Sequence, residues 1–264
     1  VTVGTDDHSQ IYFGNLVSDP GPFYYLIVCL IKTPIYIFPG LLLAAYRQFD
    51  TTYRKYTFEI FLFTISVLYL IEITIPSKKL DRYALTFMMF ISIALVSYIY
   101  DYSKKIVLGF LVLNLFMIFY LRFDFFSYYN PLSGGLTTGI KWVEPKWAFG
   151  QSEISQFFSA KIYEDRLDTF KEGENINKIE NQNNKLVVAL PEKYYTQLYP
   201  YFKLIGGWAV INEINPDARK AKYFIFPVWE DNSSEFISRY NLVSVDQIKV
   251  REVPIFNVYR RNAK

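Results

Sequence analysis

Long apolar stretches fill the first half of the chain, whereas charged residues are concentrated in the second half. Four stretches have about the length and the low charge of a membrane-spanning helix: 23–46, 57–75, 84–100 and 105–121. Apolar residues run around the whole circumference of each predicted helix, which disfavours a set of buried helices in a water-soluble protein. The pattern predicts about four transmembrane helices within residues 23–122.

The first predicted span contains a single charge, Lys32, and two prolines, Pro34 and Pro39, that should kink it. The third and fourth spans are short and would cross with little tilt. Tyrosines near their ends would lie at the membrane surface: Tyr98, Tyr100, Tyr102 and Tyr120.

A different pattern begins after residue 122. Short runs rich in β-branched and aromatic residues predict strands at 185–190, 208–214, 222–229 and 253–261. Capping residues and a proline in the first turn predict helices at 191–202 and 231–240. Strands that alternate with helices favour a small α/β domain, here over residues 123–264, with residues 1–22 as a loop segment before the spans.

Lysine and arginine are distributed unevenly between the two sides of the predicted membrane. The loops after spans one and three carry five of them, and the loop at 76–83 carries three. The positive-inside rule therefore places residues 1–22, the loop at 76–83 and the C-terminal domain outside the cytoplasm. The predicted localisation is a multi-pass protein of the cell membrane.

Composition excludes several function classes. The net charge of +3 is small and scattered, which argues against nucleic acid as a partner. The chain contains one cysteine, Cys29, and one histidine, His8, so it cannot form an internal disulfide or a zinc site of Cys and His ligands. The sequence predicts no metal site.

The segment "KKLDRY" (78–83) places four charges between two apolar runs. Lys78, Lys79 and Arg82 could bind the phosphate of a lipid head group, and Asp81 could orient Arg82. The alternative is that these side chains are interfacial anchors whose apolar stems extend toward water. At the N-terminus, "DDH" (6–8) could bind a divalent cation or an acceptor, but a solvated loop is the favoured interpretation.

Several stretches in order resemble the C-terminal half of one family of membrane glycosyltransferases. They are "HSQIYFG", "SDPGPFYYLIVCLIKTP", "KKLDRYAL", "YYNPLSGG" and "KYFIFPVW" ahead of "VPIFNVYRR". The family comprises the protein O-mannosyltransferases and the lipid A aminoarabinose transferases of the GT-C superfamily. The resemblance covers essentially the whole chain.

The resemblance implies an enzyme that takes a sugar from a polyprenyl-phosphate donor. The sugar would pass to a protein, lipid or surface polymer on the extracytoplasmic face. The departing lipid phosphate needs cationic stabilisation, and the resemblance assigns this role to Lys79 and Arg82 with Lys78 and Tyr83. Asp81, His8 and Tyr12 would support the site.

The same resemblance implies that the catalytic carboxylate lies upstream of residue 1, so that this chain is part of a longer protein. It implies no cofactor besides the donor substrate and leaves a divalent metal open. A hypothesis from another class stays beside it. The chain would then be a non-catalytic membrane-anchored module whose external domain binds a partner or a glycan.

Overall fold

A computed structural model gives the fold in two compact units, residues 1–146 and 147–264, which are described one at a time. The structure describes residues 9–48, 57–121, 124–145, 147–171, 186–212, 218, 220–230 and 233–262.

The N-terminal unit is mainly helical. Its strands and helices are β1 (Gln10–Tyr12), β2 (Asn15–Val17), α1 (Tyr24–Lys32), α2 (Ile37–Gln48), α3 (Thr57–Thr74), α4 (Ala84–Tyr102), α5 (Lys104–Tyr120) and α6 (Gly135–Trp142). Short 3-10 turns lie at Asp81–Tyr83, Phe125–Ser127 and Pro131–Ser133. Strands β1 and β2 form an antiparallel hairpin, and Tyr12 bridges to Val143 after α6.

Helix α4 is the centre of the helical packing and touches α1, α2, α3 and α5. Gly40 of α2 allows a close approach, because a Cβ there would lie 3.2 Å from Ile99 and 3.5 Å from Leu95. A buried cluster of Ile37, Ile91 and Leu95 joins α2 to α4. The α4 side chains that face its neighbours therefore form part of the apolar core of this unit.

The predicted span at 23–46 is not one helix. It is divided into α1, with 9 residues, and α2, with 12. Thr33 is extended (ψ 139°), as expected of a residue that precedes a proline. Pro34 therefore ends a helix that we expected it only to kink, whereas Pro39 fits within the first turn of α2.

The prediction of about four transmembrane helices is wrong. Within the described residues one helix, Asp81–Tyr102 including its 3-10 turn, is long and apolar enough to cross a membrane. Its 22 residues correspond to about 33 Å, enough for the hydrocarbon layer. Helix α5 has 17 residues, and α3 carries Glu59 and Glu72. The described residues thus offer one candidate span by length and composition, and the predicted multi-pass topology is not supported.

The C-terminal unit is an α/β structure around a mixed five-stranded sheet. Its elements are α7 (Gln151–Lys171), β3 (Val187–Leu190), α8 (Glu192–Leu204), β4 (Trp208–Ile211), β5 (Tyr223–Pro227), α9 (Ser233–Tyr240), β6 (Leu242–Val250) and β7 (Val253–Arg261). The strand order is β4-β3-β5-β7-β6. Strands β4, β3 and β5 are parallel, whereas β7 is antiparallel to both β5 and β6.

The four strands and two helices predicted in this unit are confirmed, within a few residues at their ends. Strand β5 is buried along its whole length, which is why its sequence "YFIFP" is continuously apolar. The sequence did not reveal β6, because five consecutive residues of this edge strand are exposed and the apolar alternation is lost.

Candidate functional site

The charged segment 78–83 belongs to a loop between α3 and α4, called here the basic loop (residues 76–83). The structure separates its two lysines. The Lys79 side chain is 2% exposed, and its Nζ lies 2.8 Å from Oδ1 of Asp19, whereas Lys78 is exposed. Lys79 also donates to the carbonyl of Pro76 at 2.9 Å. Lys79, one of the four residues predicted to bind the donor phosphate, therefore forms an ion pair within the protein.

Asp19 fixes the basic loop to the turn before α1. Its Oδ1 accepts hydrogen bonds from Lys79 and from the Gly21 N–H, each at 2.8 Å. These two bonds, with Lys79 the stronger, lower the pKa of Asp19 below its ordinary value. The Leu80 N–H adds a third tie by donating to the Tyr25 hydroxyl at 3.3 Å. The residues of "SDPGPFYY" therefore position the basic loop.

Arg82 and Tyr83 face outward beside Lys78. The guanidinium carbon of Arg82 lies 5.8 Å from the centre of the Tyr83 ring. Asp81 accepts a hydrogen bond from the backbone N–H of Arg82 at 2.9 Å, so its carboxylate holds the 3-10 turn and not the guanidinium group. The exposed cations of the basic loop are thus Lys78 and Arg82.

The two other predicted supporting residues have different outcomes. Tyr12 lies in β1, with its ring centre 5.7 Å from that of Tyr24 at the start of α1. Burial raises the pKa of the Tyr12 hydroxyl. His8 lies outside the described residues.

Lys32, which the sequence marked only as a charge in a predicted span, has the most unusual surroundings of the unit. Its Nζ donates to the carbonyls of Phe126 at 3.3 Å and Tyr128 at 3.1 Å, and it lies 3.5 Å from the centre of the Tyr129 ring. Burial lowers the pKa of Lys32 to about 8, although the negative charges of Asp81 and Asp124 oppose this shift.

Two tyrosines with buried hydroxyl groups join Lys32 and Asp81 in a partly buried group. The hydroxyls of Tyr24 and Tyr129 are buried and have no hydrogen-bond partner within the part of the chain that the structure describes. Burial raises the pKa of each, and the negative charge of Asp81 adds to the effect. Since the field of Asp81 also acts on Lys32, we call Tyr24, Lys32, Asp81 and Tyr129 the inner cluster.

The motif "YYNPLSGG" is built around Asn130. Its backbone N–H donates to the carbonyl of Ile31 at 2.7 Å, and its side-chain amide donates to the carbonyl of Thr33 at 3.0 Å. Its Oδ1 accepts from Leu132 at 2.9 Å, which starts the following 3-10 turn. Asn130 therefore satisfies carbonyls at the end of α1, and the motif has a structural role beside the inner cluster.

The site combines exposed cations with a buried polar interior. Lys78 and Arg82 can donate charge-assisted hydrogen bonds to an anionic group, and phosphate oxygens are suitable acceptors. Among the described residues, no group of three or more His, Cys, Asp or Glu side chains is placed to hold a metal ion. The chemistry that this geometry supports is anion binding at the start of the candidate span.

We predict a pH dependence from Lys32. Its pKa is about 8 in the folded chain, against 10.5 ordinarily, so the folded state binds fewer protons than the unfolded state between these values. The free energy of unfolding should therefore rise from pH 8 toward pH 10 as the cost of the buried charge is relieved. Thermal unfolding at pH 7.5 and 9.5 measures this rise.

The Lys32→Met variant should lose most of that rise, because the titrating group is gone. Lys78→Met is the matched control, since Lys78 is an exposed lysine of the same unit. An unchanged pH slope in Lys32→Met would show that Lys32 titrates as an ordinary lysine.

The sequence held one signal for Lys32, namely that it is the only charge in an apolar stretch of 24 residues, 23–46. Nothing in the sequence indicated that the hydroxyl groups of Tyr24 and Tyr129 would be buried. No protein-family model matches the chain, and neither a curated protein nor a solved structure matches it.

Proposed function

We propose that the chain is the C-terminal part of a membrane-associated glycosyltransferase that moves a sugar from a polyprenyl-phosphate donor to an acceptor hydroxyl. The acceptor would be a protein, a lipid or a surface polymer on the extracytoplasmic face. The observation that carries the proposal is the pair of exposed cations, Lys78 and Arg82, on a loop that an internal ion pair fixes at the start of the candidate span.

In the proposed reaction, the acceptor oxygen attacks the anomeric carbon of the sugar. The bond between that carbon and the phosphate oxygen breaks, and the lipid phosphate leaves with the electron pair. A carboxylate takes the proton of the acceptor hydroxyl, and we expect it from outside this chain. Arg82 and Lys78 would stabilise the charge that develops on the departing phosphate.

The location of the loop supports a lipid-linked donor. The 3-10 turn that contains Arg82 runs directly into α4, so its guanidinium group would lie at head-group depth if α4 crosses the membrane. A phosphate joined to a polyprenyl chain lies at the same depth. Tyr83 is beside Arg82 and would contact the sugar or the head group.

We expect Arg82→Ala, in the full-length enzyme, to lower the rate of sugar transfer ten-fold or more. The Arg82 side chain is exposed, so the substitution should leave the free energy of unfolding within about 0.5 kcal/mol of wild type. The measurement is transfer of radiolabelled sugar from a polyprenyl-phosphate donor in membranes, with thermal unfolding recorded in parallel.

Lys141→Ala is the matched control, because Lys141 is also an exposed cation of the N-terminal unit but lies at the end of α6. Its transfer rate should equal that of wild type. Full activity in both Arg82→Ala and Lys78→Ala would exclude phosphate binding by the basic loop.

A second function, a non-catalytic module that binds a glycan, is favoured by aromatic residues of the C-terminal unit. Trp208, on edge strand β4, is 45% exposed. The ring centre of Tyr199 lies 5.9 Å from that of Trp208, and Tyr195 lies 5.3 Å from Tyr199. Amphipathic rings of this kind suit sugar surfaces. A full-length protein that binds glycans through Trp208 but transfers no sugar would favour this second function.

A further inference from the structure

Helix α5 has an apolar surface that the described part of the protein does not cover. It packs against α4, yet none of its residues is buried. Large apolar side chains point outward on all its sides: Ile106, Leu108, Leu111, Val112, Leu113, Leu115, Phe116 and Phe119. Exposed apolar surface on this scale marks an interaction site.

Helix α4 has an exposed apolar stripe of its own. Its exposed apolar residues recur at helical spacing: Leu85, Met89, Ile93 and Val96, ending at Tyr100. A helix at a water-exposed surface normally carries polar residues at such positions. Both helices therefore carry exposed apolar side chains along their length.

The turn between α4 and α5, residues 100–105, has a different composition. Tyr100 and Tyr102 are about half exposed, and Lys104 and Lys105 follow. The Lys104 Nζ lies 5.3 Å from the centre of the Tyr100 ring. Asp101 is the one acidic residue of the turn, which leaves it with a net charge of +1. Tyrosines and lysines that border an apolar surface are the pattern of a membrane–water interface.

We propose that the turn at 100–105 binds anionic lipid head groups while the exposed apolar stripe of α4, the candidate span, contacts the acyl chains. The turn lies at the opposite end of α4 from the basic loop, about 33 Å away along the candidate span, so it would meet the other leaflet. The tyrosines and lysines of the turn favour a lipid surface over a second copy of the chain, because these residue types are typical of a membrane–water interface. This inference does not depend on sugar transfer.

The first test is the position of the turn. The full-length protein carries Cys29→Ala and Ser103→Cys, so that a fluorophore can be attached at residue 103 alone. Its quenching by nitroxide-labelled lipids is measured in phosphatidylcholine vesicles with 30% phosphatidylglycerol. We expect a head-group nitroxide to quench more than a mid-chain nitroxide. Full quenching by aqueous iodide with none by either lipid would overturn the proposal, as would a lipid-independent dimer formed through α5.

The second test is the charge preference. We measure the partition coefficient into vesicles with 30% phosphatidylglycerol and divide it by the coefficient for pure phosphatidylcholine. This ratio should fall about thirty-fold in Lys104→Gln/Lys105→Gln. The control, Lys203→Gln/Lys249→Gln, removes the same charge from exposed lysines of the C-terminal unit and should keep the wild-type ratio. Equal losses in both pairs, or no preference for phosphatidylglycerol in wild type, would contradict head-group binding by the turn. Sugar-transfer activity enters neither measurement, so failure here and failure of the proposed function are separate results.

Discussion

Replacing Lys79 by methionine should lower both the free energy of unfolding and the rate of the sugar transfer that we propose. The variant keeps most of the apolar stem but removes the ammonium group that bonds Asp19 and the Pro76 carbonyl. Asp19 is half exposed and can regain water, so we expect a loss of about 1–2 kcal/mol and not the larger cost of an isolated buried charge. Transfer should fall because the basic loop no longer holds Arg82 in place.

A double-mutant cycle separates this positioning role from direct phosphate binding. If Lys79 positions the loop, Asp19→Asn should cause at least as large a loss, because it leaves the buried Lys79 ammonium group without its counter-charge, and the double variant should be no worse than Asp19→Asn alone. If Lys79 bound the donor phosphate, Asp19→Asn would leave transfer intact while Lys79→Met abolished it. Unfolding and transfer, measured for all four proteins, decide between the two outcomes.

Unfolding at low pH tests the ion pair between Lys79 and Asp19 in a second way. Because the folded state lowers the pKa of Asp19, the stability from the ion pair is present above the ordinary carboxyl value of about 4 and is lost as pH falls through the lowered value. The difference in unfolding free energy between wild type and Asp19→Asn should therefore disappear in acid. A difference that persists below pH 2 would mean that the pair contributes no charge-dependent stability.

Local chemistry in the sequence predicted much of the C-terminal unit. Pro191 before a polar and aromatic run indicated helix α8, and the continuous apolar run at 223–227 indicated a buried strand. Sequence could not give the sheet order, in which β3 lies between β4 and β5, because strand pairing depends on contacts distant in the chain.

The N-terminal unit shows where composition misleads. Apolar length predicted a span at 23–46, but the local preference of Thr33 before Pro34 divides it. The two lysines of the basic loop are identical in sequence terms. Only Asp19, sixty residues away, distinguishes Lys79 as an internal partner and leaves Lys78 outside. The inner cluster depends on non-local contacts of the same kind.

Gly139→Ala should strongly destabilise the N-terminal unit. A Cβ at Gly139 would overlap the ring of Tyr129, far closer than van der Waals contact. The ring has little room to move, because Lys32 lies against its face and the neighbouring Asn130 is hydrogen-bonded to the end of α1. We expect a loss of about 3 kcal/mol, well beyond the gain in helix propensity that alanine brings.

Gly109→Ala is the matched control. Gly109 lies in α5 with nothing within 4 Å of the added Cβ, so the substitution should be neutral or stabilise the protein by up to about 1 kcal/mol.

Alkylation of the single cysteine, Cys29, measures the stability of the unit. Burial raises the pKa of the Cys29 thiol to about 12, so alkylation is slow until the unit opens. The midpoint temperature of Cys29 alkylation should fall in Gly139→Ala and not in Gly109→Ala.

A second double-mutant cycle shows whether the clash with the Tyr129 ring causes the destabilisation of Gly139→Ala. In a Tyr129→Leu background the side chain is smaller, and the cost of Gly139→Ala should shrink by at least half. Cys29 lies one turn before Lys32 on α1, so its alkylation reports on the helix that Tyr129 and Asn130 secure. An undiminished cost in the Tyr129→Leu background would place the strain elsewhere in α6. The ring would then not be what requires glycine at position 139.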